Sequence, residues 1–176
     1  MRYVSTDPEF ELRSATPSDR LPLFRMLELY QHDLSDVWDQ DLDLHGEYGY
    51  LLDEYWQGTG ANAYVLLVQS HYAGFALVVA RPKLPGGQNW LEQYFVVKKY
   101  RKRGIGQAAA VALFDSTPGI WQVGQLRQNV TAQTFWRRVI NAYTNGTFEE
   151  AESTNETGTS LVQQFSSRAP LEQPGG

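Results

Sequence analysis

Residues 89 to 107 constrain the fold of this chain more than any other stretch. Asn89 to Val97 (NWLEQYFVV) is rich in strand-forming types. It runs directly into a basic turn, Lys98 to Arg103 (KKYRKR), and then into Gly104-Ile105-Gly106-Gln107. A helix begins there, with Ile105, Ala108, Ala109, Ala112 and Leu113 along one face. In physical terms this is an anion cradle. The first helical turn offers backbone N–H groups with no internal partner, and the helix dipole adds partial positive charge. Glycines at 104 and 106 let a phosphate approach the backbone, while Arg101, Lys102 and Arg103 add charge-assisted contacts. A pyrophosphate or a similarly charged group is the natural occupant.

Rival readings of the segment fit less well. A P-loop needs Lys-Ser or Lys-Thr after its second glycine, and Gln107-Ala108 stand there. A dinucleotide fingerprint has its third small residue at Ala109, but its strand and turn belong near the start of a chain with more strand–helix alternation behind them. A nucleic-acid patch is disfavoured by the acidic remainder of the chain and by the position of the cluster between a strand and a helix.

The remaining residues read as one mixed α/β domain over 1–166, with a polar tail at 167–176. Phe10 to Arg13 is a short strand, and Thr16, Pro17 and Asp19 mark a helix start. Leu23, Leu27, Tyr30 and Leu34 continue that helix. A second helix is expected from Asp43 to Trp56, where Tyr48, Leu51, Leu52, Tyr55 and Trp56 recur at helical spacing. Ala63–Gln69 and Tyr72–Ala80 form a hairpin about Ser70-His71, and Arg81–Gln88 is a loop. Beyond the cradle helix come a strand at Ile120–Leu126, a helix carrying Ala132, Phe135, Trp136, Val139 and Ile140, and two last strands. The fold class is α/β (α+β): a twisted sheet of six or seven strands flanked by four helices.

The chain has no cysteine, which excludes disulfides, thiolate metal sites and a cysteine nucleophile. Its three histidines lack metal-ligand spacing, so no metal is expected. No apolar run is long enough to span a membrane, the start shows no secretory pattern, and a cytoplasmic protein is expected. Charge is unevenly placed. Nine acidic residues and no Lys or Arg lie between Glu28 and Glu54, whereas five of six residues in Lys98–Arg103 are basic. Such asymmetry suggests two surfaces with different partners.

Arg101-x-x-Gly104-x-Gly106, entering a helix from a strand that ends Phe95-Val96-Val97, resembles the acyl-CoA signature of the GNAT N-acetyltransferases. Asn129-x-x-Ala132-x-x-Phe135-Trp136 resembles the later segment of that family, and the element order is similar from about residue 8 to 166, most specifically over 92–148. The resemblance implies acetyl-CoA as acyl donor, with the backbone of Arg101, Lys102, Arg103, Gly104, Ile105, Gly106 and Gln107 on its pyrophosphate. It further implies that Val96 and Val97 pair with the pantetheine arm where two parallel strands splay apart. Asn129 would reach that arm or the adjacent backbone, and Ala132, Phe135 and Trp136 would pack near the thioester.

The chemistry so implied is direct attack of an amine on the thioester in a ternary complex, which needs a base and a proton donor. Glu92 is the candidate base, being the only acidic residue between Glu54 and Asp115. Strand alternation puts it on one face with Trp90, Tyr94 and Val96. Many members of the family place a tyrosine where Trp136 stands, and an indole N–H cannot act as the acid. Tyr143, two turns further along, and Tyr94 are the alternatives. The acidic stretch, with Asp33, Asp36, Asp39, Asp41, Asp43 and Glu47, falls where the family lines its acceptor cleft, which points to a cationic amine. Two other readings stay open: a non-catalytic acyl-CoA-binding domain and a basic-patch nucleic-acid module. Members of the family often form homodimers, but no interface is legible in these residues.

Overall fold

The computed structural model describes residues 1–155 and 158–168. Its eight strands form a single sheet: β1 (Arg2–Thr6), β2 (Glu9–Ser14), β3 (Ala61–Val68), β4 (His71–Val79), β5 (Asn89–Val96), β6 (Ile120–Leu126), β7 (Glu149–Asn155) and β8 (Gly158–Ser166). The spatial order is β1-β2-β3-β4-β5-β6-β8-β7. Every neighbouring pair is antiparallel except β5 and β6. Among the described residues there are three α-helices: α1 (Arg20–Trp38), α2 (Ile105–Ser116) and α3 (Val130–Thr144). None is long and apolar enough to cross a membrane.

The mixed α+β class agrees with the sequence, but the sheet gains a strand and loses a flanking helix. The added strand is β1, which pairs only with β2 at the sheet edge. It is exposed at all but one position, so it carries no apolar alternation to read. The lost helix is the one expected over 43–56. Gly46 and Gly49 adopt left-handed conformations there, at φ 76° and 72°. The N–H groups of Tyr48 and Gly49 donate to the Glu28 carboxylate instead of to helical carbonyls. Only a short 3-10 turn at Asp53–Trp56 survives. The tail expected at 167–176 lies outside the described residues from 169 onward.

The sheet buries both faces. α2 and α3 cover one, packing Ile105, Ala109, Leu113, Phe114, Trp136 and Ile140 against Phe10, Leu91, Trp121, Val123 and Phe165. α1 covers the other, with Leu23, Met26 and Leu27 set against Phe75, Leu77, Trp90 and Phe95. A buried ion pair fixes the start of α1. Arg13 on β2 grips Asp19 through two bonds of 2.7 and 2.8 Å, and Asp19 also accepts from Thr16 N–H and the Tyr72 hydroxyl. Arg13, foremost, holds the Asp19 carboxyl well below the usual carboxylate range.

Candidate active site

The parallel pair β5–β6 opens soon after it forms. Asn89, Trp90 and Leu91 pair with Trp121, Gln122 and Val123, and the strands then part. At the same level β5 carries a bulge against β4. Val78 opposes Leu91 and Leu77 opposes Gln93, so Glu92 is the extra residue. The bulge breaks the alternation read from sequence. Glu92 keeps to the α1 side with Trp90, but Gln93 joins it there, and Tyr94 and Val96 pack on the α2/α3 side.

The far part of β5 has a free edge along the gap. Val97 N–H donates to Ala73 O at 2.8 Å and Val97 O accepts from Tyr100 N–H at 2.9 Å, so both of its backbone groups are engaged within the protein. Strand alternation then turns the backbone groups of Tyr94 and Val96 toward the gap. The edge pairing expected of Val97 therefore moves back along the strand to Val96 and Tyr94.

The cradle lies at the end of that edge. Gly104 is the N-cap of α2 in a left-handed conformation, φ 76°, and has no side chain with which to cap the helix. The first turn therefore keeps its N–H groups free for an anion. A Cβ on Gly106 would reach ordinary contact with Val96 Cγ2 and Phe135 Cζ, at 3.5 and 3.7 Å, so cradle, strand edge and α3 meet at this glycine. The Tyr94 hydroxyl donates to Gly106 O at 2.6 Å.

The basic turn divides into two groups. Arg101 donates through Nε to Val96 O at 2.6 Å, and its guanidinium pairs with Asp33 of α1 at 2.5 Å. Lys98 reaches the same Asp33 at 3.4 Å. The Arg101 side chain thus ties α1 to the cradle, where sequence reading gave it to the phosphate. Lys99, Lys102 and Arg103 form no ion pair among the described residues and are exposed.

On α3, Asn129 caps the helix by accepting from Ala132 N–H at 3.1 Å, the adjacent-backbone option read from sequence. Ala132 and Phe135 pack against the α2/α3 core. Trp136 is buried with its ring 4.9 Å from Phe135 and 5.1 Å from Tyr94. Tyr143 is not brought to the site. Its hydroxyl donates to Asp115, near the opposite end of α2 from the cradle, and accepts from Arg168 N–H. Seven residues of helix also separate it from Trp136 by about 10 Å. Burial pushes this phenol up to about 12.

Across the gap, on the α1 side, phenols surround the bulge. Tyr55 donates to Glu92 and Tyr30 donates to Gln93 Oε1 at 2.6 Å, while Gln93 Nε2 reaches Tyr50 Oη at 3.4 Å. Burial raises the Tyr30 and Tyr55 phenols, and burial together with the Glu92 charge pushes Tyr50 up to about 12. All three are therefore O–H groups at neutral pH. Beside them the segment 39–52 exposes Asp39, Asp41, Asp43 and Glu47; with Asp36 of α1 these form no ion pair among the described residues. Sequence reading placed Tyr30 and Tyr50 in this region but missed their grouping with Tyr55 and Gln93, because nothing in the local pattern marks a bulge.

The family model described as acetyltransferase (GNAT) family matches residues 23–139. No curated protein matches the chain. Solved structures share its fold at low identity. A GNAT-family acetyltransferase from Streptococcus agalactiae is 16% identical, with 96% of this chain and 100% of that one covered and a TM-score of 0.70. The ribosomal-protein-S5-alanine acetyltransferase of Vibrio fischeri is 14% identical over 95% of this chain and 97% of that one, with a TM-score of 0.64. An acetyltransferase from Salmonella typhimurium, solved with its cofactor acetyl-CoA, is 16% identical over 93% and 99%, with a TM-score of 0.60.

Proposed function

This chain belongs to the acetyltransferase (GNAT) family, and from that premise we propose that it transfers an acetyl group from acetyl-CoA to the primary amine of a cationic acceptor, a small molecule or a peptide. The observation that carries this reading is the alignment of three features along one gap. An uncapped, glycine-entered helix N-terminus lies at one end, a free β5 edge runs between, and a bulged carboxylate stands at the other end. These suit the diphosphate, the pantetheine amides and the reacting amine in that order. The single-domain reading over 1–166 belongs to the same proposal.

Acetyl-CoA, when bound, supplies an acyl carbon open to attack by nitrogen. The N–H groups of Ile105, Gly106 and Gln107 hold its diphosphate, with Lys102 and Arg103 adding charge. The backbone of Val96 and Tyr94 orients the pantetheine arm. Glu92 takes a proton from the incoming ammonium, directly or through one water, so that a neutral amine faces the thioester. Phenols around the bulge supply hydrogen-bond donors to Glu92 and Gln93 and keep the carboxylate pointed at the gap. Tyr94, on the α2/α3 side beside Trp136, replaces Tyr143 as proton donor to the departing sulfur. Asp36, Asp39, Asp41, Asp43 and Glu47 attract the cationic acceptor.

A second reading, a non-catalytic acyl-CoA-binding domain, is favoured by Trp136, whose indole fills the place of the expected acid against Tyr94. Thiol release from acetyl-CoA over a panel of amines separates the two. The proposal expects turnover that is greatest for polyamines and basic peptides, and a kcat/KM that falls as salt rises. Tight CoA binding with no thiol release for any amine would establish the second reading instead.

A further inference from the structure

Gln125 stands on β6, two residues past the last pairing with β5, and is only 5% exposed. Its amide ends a polar chain beneath α3. Gln125 Nε2 donates to Gln163 Oε1 at 2.9 Å, and Gln163 Nε2 donates to Glu150 Oε2 at 2.6 Å. Arg137 grips both oxygens of Glu150, at 2.8 and 2.6 Å. The direction of this chain is set by its chemistry. An ionised carboxylate only accepts, so Gln163 must turn its NH2 to Glu150 and its oxygen to Gln125. Gln125 must answer with its own NH2. What is left over is Gln125 Oε1, a buried acceptor with no partner in the protein. Such groups are rare because their lost hydration is not replaced.

The position of this oxygen gives it a use. Nε2 faces β8, so Oε1 occupies the branch of the amide turned away from β8, on the side of β6 that β5 has left. By alternation Gln125 shares a face with Trp121 and Val123, which pack on the α2/α3 side. It therefore opens onto the gap opposite Tyr94, on the other face of the sheet from Glu92 and its phenols.

We propose that Gln125 Oε1 accepts a hydrogen bond from an amide N–H of the pantetheine arm, making Gln125 a cosubstrate-binding residue. The proposal rests on the acetyl-CoA reading of the gap. An acceptor needs a donor, which excludes the thioester carbonyl and leaves the pantetheine amides or the attacking amine. The amine belongs with Glu92 on the α1 side, so the arm is the donor within reach. The polar chain through Gln163 to Glu150 prevents the amide from flipping and presenting its NH2 instead.

The test is calorimetric titration of the full chain, unaltered and as Gln125→Met and Gln125→Asn, with CoA and with 3′,5′-ADP, which keeps the nucleotide but lacks pantetheine. The expected result is a threefold to tenfold loss of CoA affinity, roughly the worth of one hydrogen bond, with 3′,5′-ADP affinity unchanged. Gln125→Asn keeps the amide but retracts it, and should show the same selective loss should Gln125→Met prove poorly folded. Undiminished CoA affinity in both variants overturns the proposal. Equal losses for CoA and 3′,5′-ADP overturn it too, by marking Gln125 as structural support. A raised KM for the amine with intact CoA affinity would assign the oxygen to the acceptor and likewise overturn it. Failure of the unaltered chain to bind CoA is a separate outcome, which strikes the reading of the gap itself and this proposal with it.

Discussion

Glu92 owes its position to one inserted residue. Without the bulge, β5 would carry Glu92 and Tyr94 on one face; with it, Glu92 and Gln93 turn together toward α1 and Tyr94 toward α3. Base and proton donor thus stand on opposite sides of the gap, as transfer from an incoming amine to a departing sulfur requires. Glu92→Gln should lower kcat/KM about 100-fold or more while leaving CoA affinity unchanged, which steady-state kinetics and calorimetry read separately. Tyr143→Phe should leave turnover intact and reduce stability by about 1–2 kcal/mol in denaturant melts, because Asp115 and Arg168 N–H lose a buried partner. Asp19 predicts an acid limb. Its folded carboxyl lies below the ordinary range, so its contribution is full above the unfolded value, near pH ~4, and is lost as pH falls toward the depressed folded one. Asp19→Asn should flatten that limb and cost about 3 kcal/mol at neutral pH, since Arg13 is then left without its partner.

At the scale of elements, α1 and the segment 39–52 act together. Glu28 holds the segment through the Tyr48 and Gly49 N–H groups, and Asp33 ties α1 to the cradle through Arg101 and Lys98. Glu28→Ala should loosen the acidic rim without touching the cradle, raising the KM for the amine severalfold while acetyl-CoA affinity stays the same. The elements legible in the sequence are those whose local pattern agrees with their burial. β3, β4, β5 and α2 are continuous apolar runs or one-sided helices, and each folds as read. The failures have identifiable causes. β1 is an exposed edge with no alternation, and 43–56 carries helical spacing that Gly46, Gly49 and Glu28 override. The bulge is set by pairing with β4, a long-range match that no local window contains. The cradle was readable because glycine spacing and a basic turn are local features. Gln125 was not, since its meaning depends on Gln163 and Glu150, more than twenty residues away.

For the molecule as a whole, charge and fold agree. A net charge of −5 hides a basic turn at the cradle and an acidic rim at the opposite end of the same gap. Lys98 and Arg101 are neutralised by Asp33, leaving Lys99, Lys102 and Arg103 for an anion, while the rim acids are left for a cation. Such a gap binds an anionic cosubstrate and a cationic acceptor at its two ends and brings their reactive groups together at the bulge. Binding of acetyl-CoA at the cradle is the claim on which the rest depends. Its most direct test is a thermal melt with and without saturating acetyl-CoA, for the unaltered chain and for Gly106→Glu. The helix tolerates a side chain at 106, but a carboxylate there opposes the diphosphate. At ~100 times Kd the ligand should raise the Tm of the unaltered chain by about 5–10 °C and leave the variant unmoved. Equal shifts in both proteins, or none in either, would contradict the cradle as the cosubstrate site.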